Sequence, residues 1–429
     1  MKCVALMGAV LLTALSLFSQ TQSSSPNAAT ANQPAATALL PNNDALALLR
    51  RISQLMESTM LAAPGMARAA APLGENVRQA LANIEASSPQ NSGQVYNMLA
   101  NVRAYLALSD ALPKQYPFAD AARKQVAELR EAMDRMDADF QALLEMPDVD
   151  AVILTVPIRL NAPLAARVLE AGKHCFAQKP FAINVEQGLR LRGAVRESRR
   201  AFIHGFQYRY APVFAQVRKM IDAGALGTVK QLWWNMARRP LRASHNRLEL
   251  SGGPYLADCC HWLDLFEYFQ PGARFTRVAA FGGLDVPNTH VDFPDNAVTI
   301  IEYNTGVRGS LNFTYFTDQP EQSVWGIQGT GGKIRGDNEE AGRFVMFSGP
   351  TRDRTDFAVN PARAYRDLLG FDRIHDAFAD QIEAGDRAWA VDEAERGLEN
   401  LLLCLAADRA ILERRIVQRE EFASAASGL

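Results

Sequence analysis

Two short stretches carry side chains whose types and spacing could do chemistry. The first is the end of Asp148 to Pro180 (DVDAVILTVPIRLNAPLAARVLEAGKHCFAQKP), where Lys179 stands just past an apolar run. A lysine in that place can stabilise a developing alkoxide through its compact ammonium. The second is Ser251 to Leu265 (SGGPYLADCCHWLDL), where His261 has Asp258 three residues before it and Asp264 three after. Residues at this spacing share a helix face. Imidazole titrates near neutral pH, so His261 is the candidate base. Asp258 can orient it or share its proton, and Asp264 can cap or pair. A base and an alkoxide stabiliser together suit proton removal from a hydroxyl. Cys259 and Cys260 read as packing residues rather than nucleophiles.

The elements that must position these groups follow from apolar spacing. Ala151 to Val156 is a short, partly β-branched run that fits a strand buried on both faces, and Pro157 ends it. Ala162 to Glu170 carries apolar residues at helical spacing, with Gly172 where a helix stops. His174 to Ala177 reads as a second strand. Strand, crossover helix and strand imply a parallel pair with a right-handed connection. Ligands of such sheets bind beyond the strand C-termini, which is where Pro157 and Lys179 lie. A helix over Val185 to Ala201 and a strand over Phe202 to Gln207 follow; His174 and His204 read as core histidines.

Thr228 to Arg238 alternates as a strand, and Arg274 to Arg335 alternates over several short runs, with Asn304-Thr305-Gly306 as a hairpin turn. This predicts an open, mostly antiparallel sheet. Gly329 to Lys333 fails the Walker spacing and reads as a turn. Phe371 to Ala384 and Asp392 to Glu413 close the chain as helices.

Several of these residues resemble the Gfo/Idh/MocA oxidoreductases: Asp148, Asp150, Gly172, Lys173, His174, Lys179 and Pro180 stand in that family's register. Gly205 to Tyr210 with Pro212 resembles its segment between domains, and Gly224 to Gly227 its next turn. The chain departs from the pattern at Val156, inserted before the proline, at Asn161 where a histidine is usual, and at Gln178 where a glutamate is usual. The usual first aspartate of the Gly-Gly-led helix falls at Ala257, with Asp258 one place later. The resemblance implies NAD- or NADP-dependent oxidation or reduction of a sugar, cyclitol or related polyol. It makes Lys179, His261 and Asp258 the catalytic candidates. Thr155, Pro157, Gln178 and Lys179 become the cofactor-binding candidates. Tyr208 and Arg209 either hold polar substrate groups or form an interdomain salt bridge. The alternatives are a non-catalytic exported sugar-binding protein, or a chimeric frame with a degenerate oxidoreductase tail.

Composition sets the outer limits. The chain has 429 residues, enough for two domains and a further module, and is 48% hydrophobic and 21% charged, as soluble proteins are. A net charge of −2 gives no general attraction to nucleic acid or acidic membranes. Five cysteines, two adjacent, form no disulfide framework, and no CxxC or HExxH pattern points to a metal. Residues 1–22 resemble a secretory signal too short to span a bilayer, which predicts an exported protein; without a genuine signal it is cytoplasmic. Residues 23–43 read as a linker and 44–145 as an amphipathic helical module. No GxGxxG follows a strand before Ala151. The expected fold is therefore α/β. It has a truncated Rossmann-like parallel sheet over 146–210, an α+β substrate domain over 211–429, and an extra N-terminal helical module. The broad sheet is expected to support self-association.

Overall fold

The computed structural model describes residues 3–7, 50–51, 53–54, 56–57, 74–79, 81–82, 127, 140–156, 158–241, 247–286, 291–317, 321–337, 342–349, 351, 353–359 and 365–422. Pro157, the linker and most of the expected signal and helical module lie outside them. The chain divides into two compact units, residues 1–157 with 173–175, and residues 158–172 with 176–429.

In the first unit, β1 (Cys3–Met7) runs parallel to β2 (Ala151–Thr155), in register from Cys3 opposite Ala151 to Met7 opposite Thr155. Ala151, Val152 and Leu154 are wholly buried, as a strand covered on both faces requires. Left unpaired, this side of β2 would be an open apolar edge; β1 occupies it. On the other side the His174 N–H donates to Asp150 O at 2.9 Å, where β3 (His174–Ala177) begins. The four-stranded sheet has the order β1-β2-β3-β4.

In the second unit, α1 (Ile158–Glu170) starts four residues earlier than its apolar spacing suggests, with Pro163 as its sixth residue. The ring there removes a donor near the helix start. α2 (Val185–Ser198) is capped by the Asn184 side chain, which accepts from the Gln187 N–H at 2.9 Å. β4 (Phe202–His204) is shorter than expected, because the chain turns at Gly205. α3 (Pro212–Asp222) opens on proline, whose missing N–H costs nothing at a helix start.

The large sheet is nine-stranded. Its strands are β5 (Val229–Ala237), β6 (Phe275–Gly283), β7 (Asn296–Tyr303), β8 (Arg308–Thr314), β9 (Gln322–Gly329), β10 (Gly332–Asp337), β11 (Arg343–Ser348), β12 (Asp353–Ala358) and β13 (Val417–Gln418), ordered β12-β11-β10-β9-β5-β8-β7-β6-β13. All its described pairings are antiparallel except β5 with β8. The β7–β8 turn places Gly306 at φ 78°, where glycine carries no Cβ penalty. The inner face is filled by Trp234, Trp325 and, from α4 (Cys260–Tyr268), Trp262. Trp234 and Trp262 stack at 4.0 Å. Each indole removes on the order of 200 Å² from water, about 5 kcal/mol of transfer free energy.

Two helices complete the unit, α5 (Phe371–Ala384) and α6 (Arg387–Glu413). α6 packs against α2, α4, β4 and β6. Its contact with α2 is close because Gly188 on α2 faces Leu401, and Gly397 of α6 faces Phe181 in the segment before α2.

Candidate functional site

Lys179 leaves β3 two residues past its end, and the Lys179–Pro180 peptide is cis. Its Nζ donates to the carbonyl of Ala257 at 2.5 Å. Ala257 lies in a five-residue π-helical turn, Tyr255–Cys259, that runs directly into α4. Such turns hold one residue more than an α turn and are frequent at functional sites. Side chains tie this turn and its junction with α4: Cys260 Sγ donates to Leu256 O at 3.2 Å, and Asn400 of α6 donates to Cys260 O at 3.0 Å.

The π turn decides what the two acidic candidates do. Asp258 points toward the ends of β5 and β8, where its Oδ2 accepts from Arg238 at 3.0 Å and from the Tyr315 hydroxyl at 3.2 Å. Arg238 and Tyr315 come side by side because β5 and β8 are parallel, so both leave the sheet at the same edge. The Arg238 guanidinium also lies 5.9 Å from the Trp262 ring centre. Asp264, by contrast, is wholly buried and accepts from both Arg209 Nε, at 2.7 Å, and Arg209 Nη2. Burial alone would lower the Arg209 pKa; the carboxylates of Asp264 and Glu393 outweigh it and raise it. The Arg209 guanidinium is thus committed to a bidentate pair, which fixes the segment after β4 onto α4.

His261 is buried, between Phe206 at 5.8 Å and Tyr208 at 5.0 Å, both edge to face. Burial, with the positive charges of Lys179 and Arg238, holds its imidazole well below the ordinary range. It is therefore neutral near pH 7, the form a base needs. Lys179, Asp258, His261 and Tyr208 are brought into one locality of the second unit. Gln178 lies against Gly205, where a Cβ would fall 2.6 Å from its Oε1. Thr155 ends β2 in the first unit, and Pro157 is outside the described residues.

Sequence reasoning did not find Arg238, Tyr315 or the Ala257 carbonyl. Nothing local marks them: their role arises from one parallel strand pair and one widened turn. Among the described residues, no group of three or more His, Cys, Asp or Glu is placed to hold a metal ion, and no helix is long and apolar enough to cross a membrane.

Two family profiles match successive parts of the chain. The profile described as "Oxidoreductase family, NAD-binding Rossmann fold" matches residues 96–206, and that of the "GFO/IDH/MocA C-terminal domain" matches 214–335. Levoglucosan dehydrogenase of Pseudarthrobacter phenanthrenivorans is 27% identical over 295 residues, covering 60% of this chain and 75% of that one. Myo-inositol 2-dehydrogenase of Thermotoga maritima is 24% identical over 322 residues, covering 71% and 91%. A solved structure described as "Levoglucosan dehydrogenase, complex with NADH" superposes with a TM-score of 0.58 at 22% identity, over 67% of this chain and 86% of that one, a likeness of fold. The two profiles fall in succession on the stretches that carry the strand–helix–strand unit and the large sheet: the chain belongs to the Gfo/Idh/MocA family of oxidoreductases.

Proposed function

We propose that the protein is an NAD(P)-dependent dehydrogenase acting on a sugar, cyclitol or related polyol. The observation that carries this reading is that Lys179, from the end of β3, reaches the turn that leads into the helix of His261, its Nζ donating to Ala257 O at 2.5 Å four residues before the imidazole. In this reading His261, held neutral, takes the proton of the reacting hydroxyl. Lys179 turns its ammonium from Ala257 O to the substrate oxygen and stabilises its negative charge. Arg238, Asp258 and Tyr315 form the wall that holds the remaining hydroxyls, and Tyr208 packs on His261. A nicotinamide cofactor, when bound, accepts or supplies the hydride.

The residues fit such a cofactor at the strand ends: Gln178 and Lys179 follow β3, and Gly205 lets Gln178 lie flat where any Cβ would push it away. Because no GxGxxG precedes Ala151 in the sequence, dinucleotide affinity is proposed to be weaker than ~100 μM. The second reading, a non-catalytic sugar-binding protein, rests on the commitment of Asp258 to Arg238 and Tyr315.

The test is titration of the purified full chain with NADH and with NADPH, followed by nicotinamide fluorescence, together with turnover of a panel of sugars and inositols. Saturable binding is expected, and Lys179→Ala should lower kcat by roughly 10²–10⁴ at unchanged Tm. Sugar binding with no dinucleotide binding up to millimolar concentration favours the second reading. A Lys179→Ala enzyme of near-normal rate removes the lysine from the mechanism.

A further inference from the structure

Asn161 lies in the second turn of α1, only 1% exposed, and its side chain reaches across to the far end of β3. Its Nδ2 donates to two successive carbonyls, Gln178 O at 2.7 Å and Lys179 O at 3.4 Å. Its Oδ1 is equally buried and has no partner. An unpaired buried acceptor is unfavourable, so the side chain is held for its N–H groups rather than its oxygen. The opposite orientation would set an amide oxygen against two carbonyl oxygens, so the chemistry of the partners fixes the amide this way round.

The two carbonyls belong to the residues that carry Lys179 out of the strand. On the other side of the same corner Gln178 is pressed against Gly205, where an added Cβ would meet the Gln178 Cα at 3.1 Å. The corner is thus held from two sides, and the lysine stem leaves it toward Ala257 O at 2.5 Å.

We propose that Asn161 is a positioning residue for Lys179: its amide clamps the Gln178 and Lys179 carbonyls and so fixes where the ammonium stands. The consequence for rate rests on the dehydrogenase reading; the clamp itself does not. Asn161 touches no reacting atom in this account and acts only through Lys179.

The test uses the full chain and two variants, Asn161→Leu, which keeps the bulk and removes the donors, and Asn161→His, which returns a ring N–H to the same place. The first readout needs no activity: the rate at which acetic anhydride labels Lys179, followed by peptide mass spectrometry, with exposed Lys230 as internal reference. Asn161→Leu should label about fivefold faster at Lys179, the factor one net hydrogen bond represents, and Asn161→His should restore the slow rate. The second readout is kinetic. On a turned-over substrate, Asn161→Leu should lower kcat by about 10²-fold, the cost of a misplacement near 1 Å, with KM for the dinucleotide unchanged. Unchanged Lys179 labelling in a folded Asn161→Leu chain overturns the proposal, as does a KM effect without a kcat effect. Faster labelling in a chain that binds no dinucleotide upholds the clamp and sinks the dehydrogenase reading instead. Should Asn161→Leu fail to fold, Asn161→Ala carries the same two comparisons.

Discussion

Two buried carboxyls behind the site have been pushed in opposite directions by their surroundings. Burial opposes ionisation of Glu393, but His204, Arg396 and Arg209 outweigh it and hold that carboxyl well below the usual range; His204 Nδ1 stands 3.0 Å from it. Glu267, on α4, is raised well above 4.5 by burial and by its neighbours Asp264 and Glu399, and its Oε1 has no partner. The unfolded chain releases the Glu267 proton near 4.5, while the folded chain keeps it to higher pH. Above 4.5 the folded state therefore binds more protons, and stability falls as pH rises, by about 1.4 kcal/mol per pH unit until the folded group ionises. A Glu267→Gln variant lacks this loss. Its Tm should gain on the wild type steadily from pH 4.5 toward 7, and parallel Tm curves would show that the carboxyl is not protonated in the folded chain. At this same scale the placement of Lys179 after a strand and of His261 on a helix was legible in the sequence. Arg238 and Tyr315 were not, because an arginine and a tyrosine at strand ends are ordinary until one knows which strands adjoin.

Among the elements, those with strong local signals read correctly: α5 ends where its periodicity ends, the Asn304-Thr305-Gly306 turn joins β7 to β8, and Gly329 to Lys333 joins β9 to β10. The parallel β5–β8 pair and the π turn before α4 were hidden. The first is a non-local register, and the second sits beside a carbonyl, that of Cys260, met by Asn400 of α6, a contact that no window of sequence contains. Close packing around α6 was also invisible, and it reverses a familiar rule. Gly→Ala inside a helix ordinarily stabilises by about 1 kcal/mol. At Gly397, in the middle of α6, a Cβ would overlap the buried Phe181 ring. Gly397→Ala should instead destabilise by about 1–3 kcal/mol, read from urea midpoints at unchanged slope; a stabilised variant would mean that Phe181 yields without cost.

On the scale of the whole molecule, the N-terminal strand matters most. β1 is built from residues 3–7 of a segment whose composition resembles a secretory signal, and it covers an edge of β2 that would otherwise present unpaired backbone and apolar side chains. Deleting residues 2–7 should leave that edge open and make the protein prone to association. The measure is the monomer fraction in light scattering at equal concentration, and a deletion as monodisperse as the full chain would show that β1 is dispensable. The long reach of the site's contacts has a different consequence, which concerns time. Lys179 meets Ala257 across 78 residues, Tyr315 meets Asp258 across 57, and Asn400 meets Cys260 across 140. Each closure must await the later partner's synthesis and then overcome its own loop entropy. A nascent chain can therefore pair β5 with β8 and β9 while the π turn still lacks Asn400. A chain interrupted between β12 and α6 can have paired β5 through β12, yet it lacks the Asn400 side chain that meets the Cys260 carbonyl.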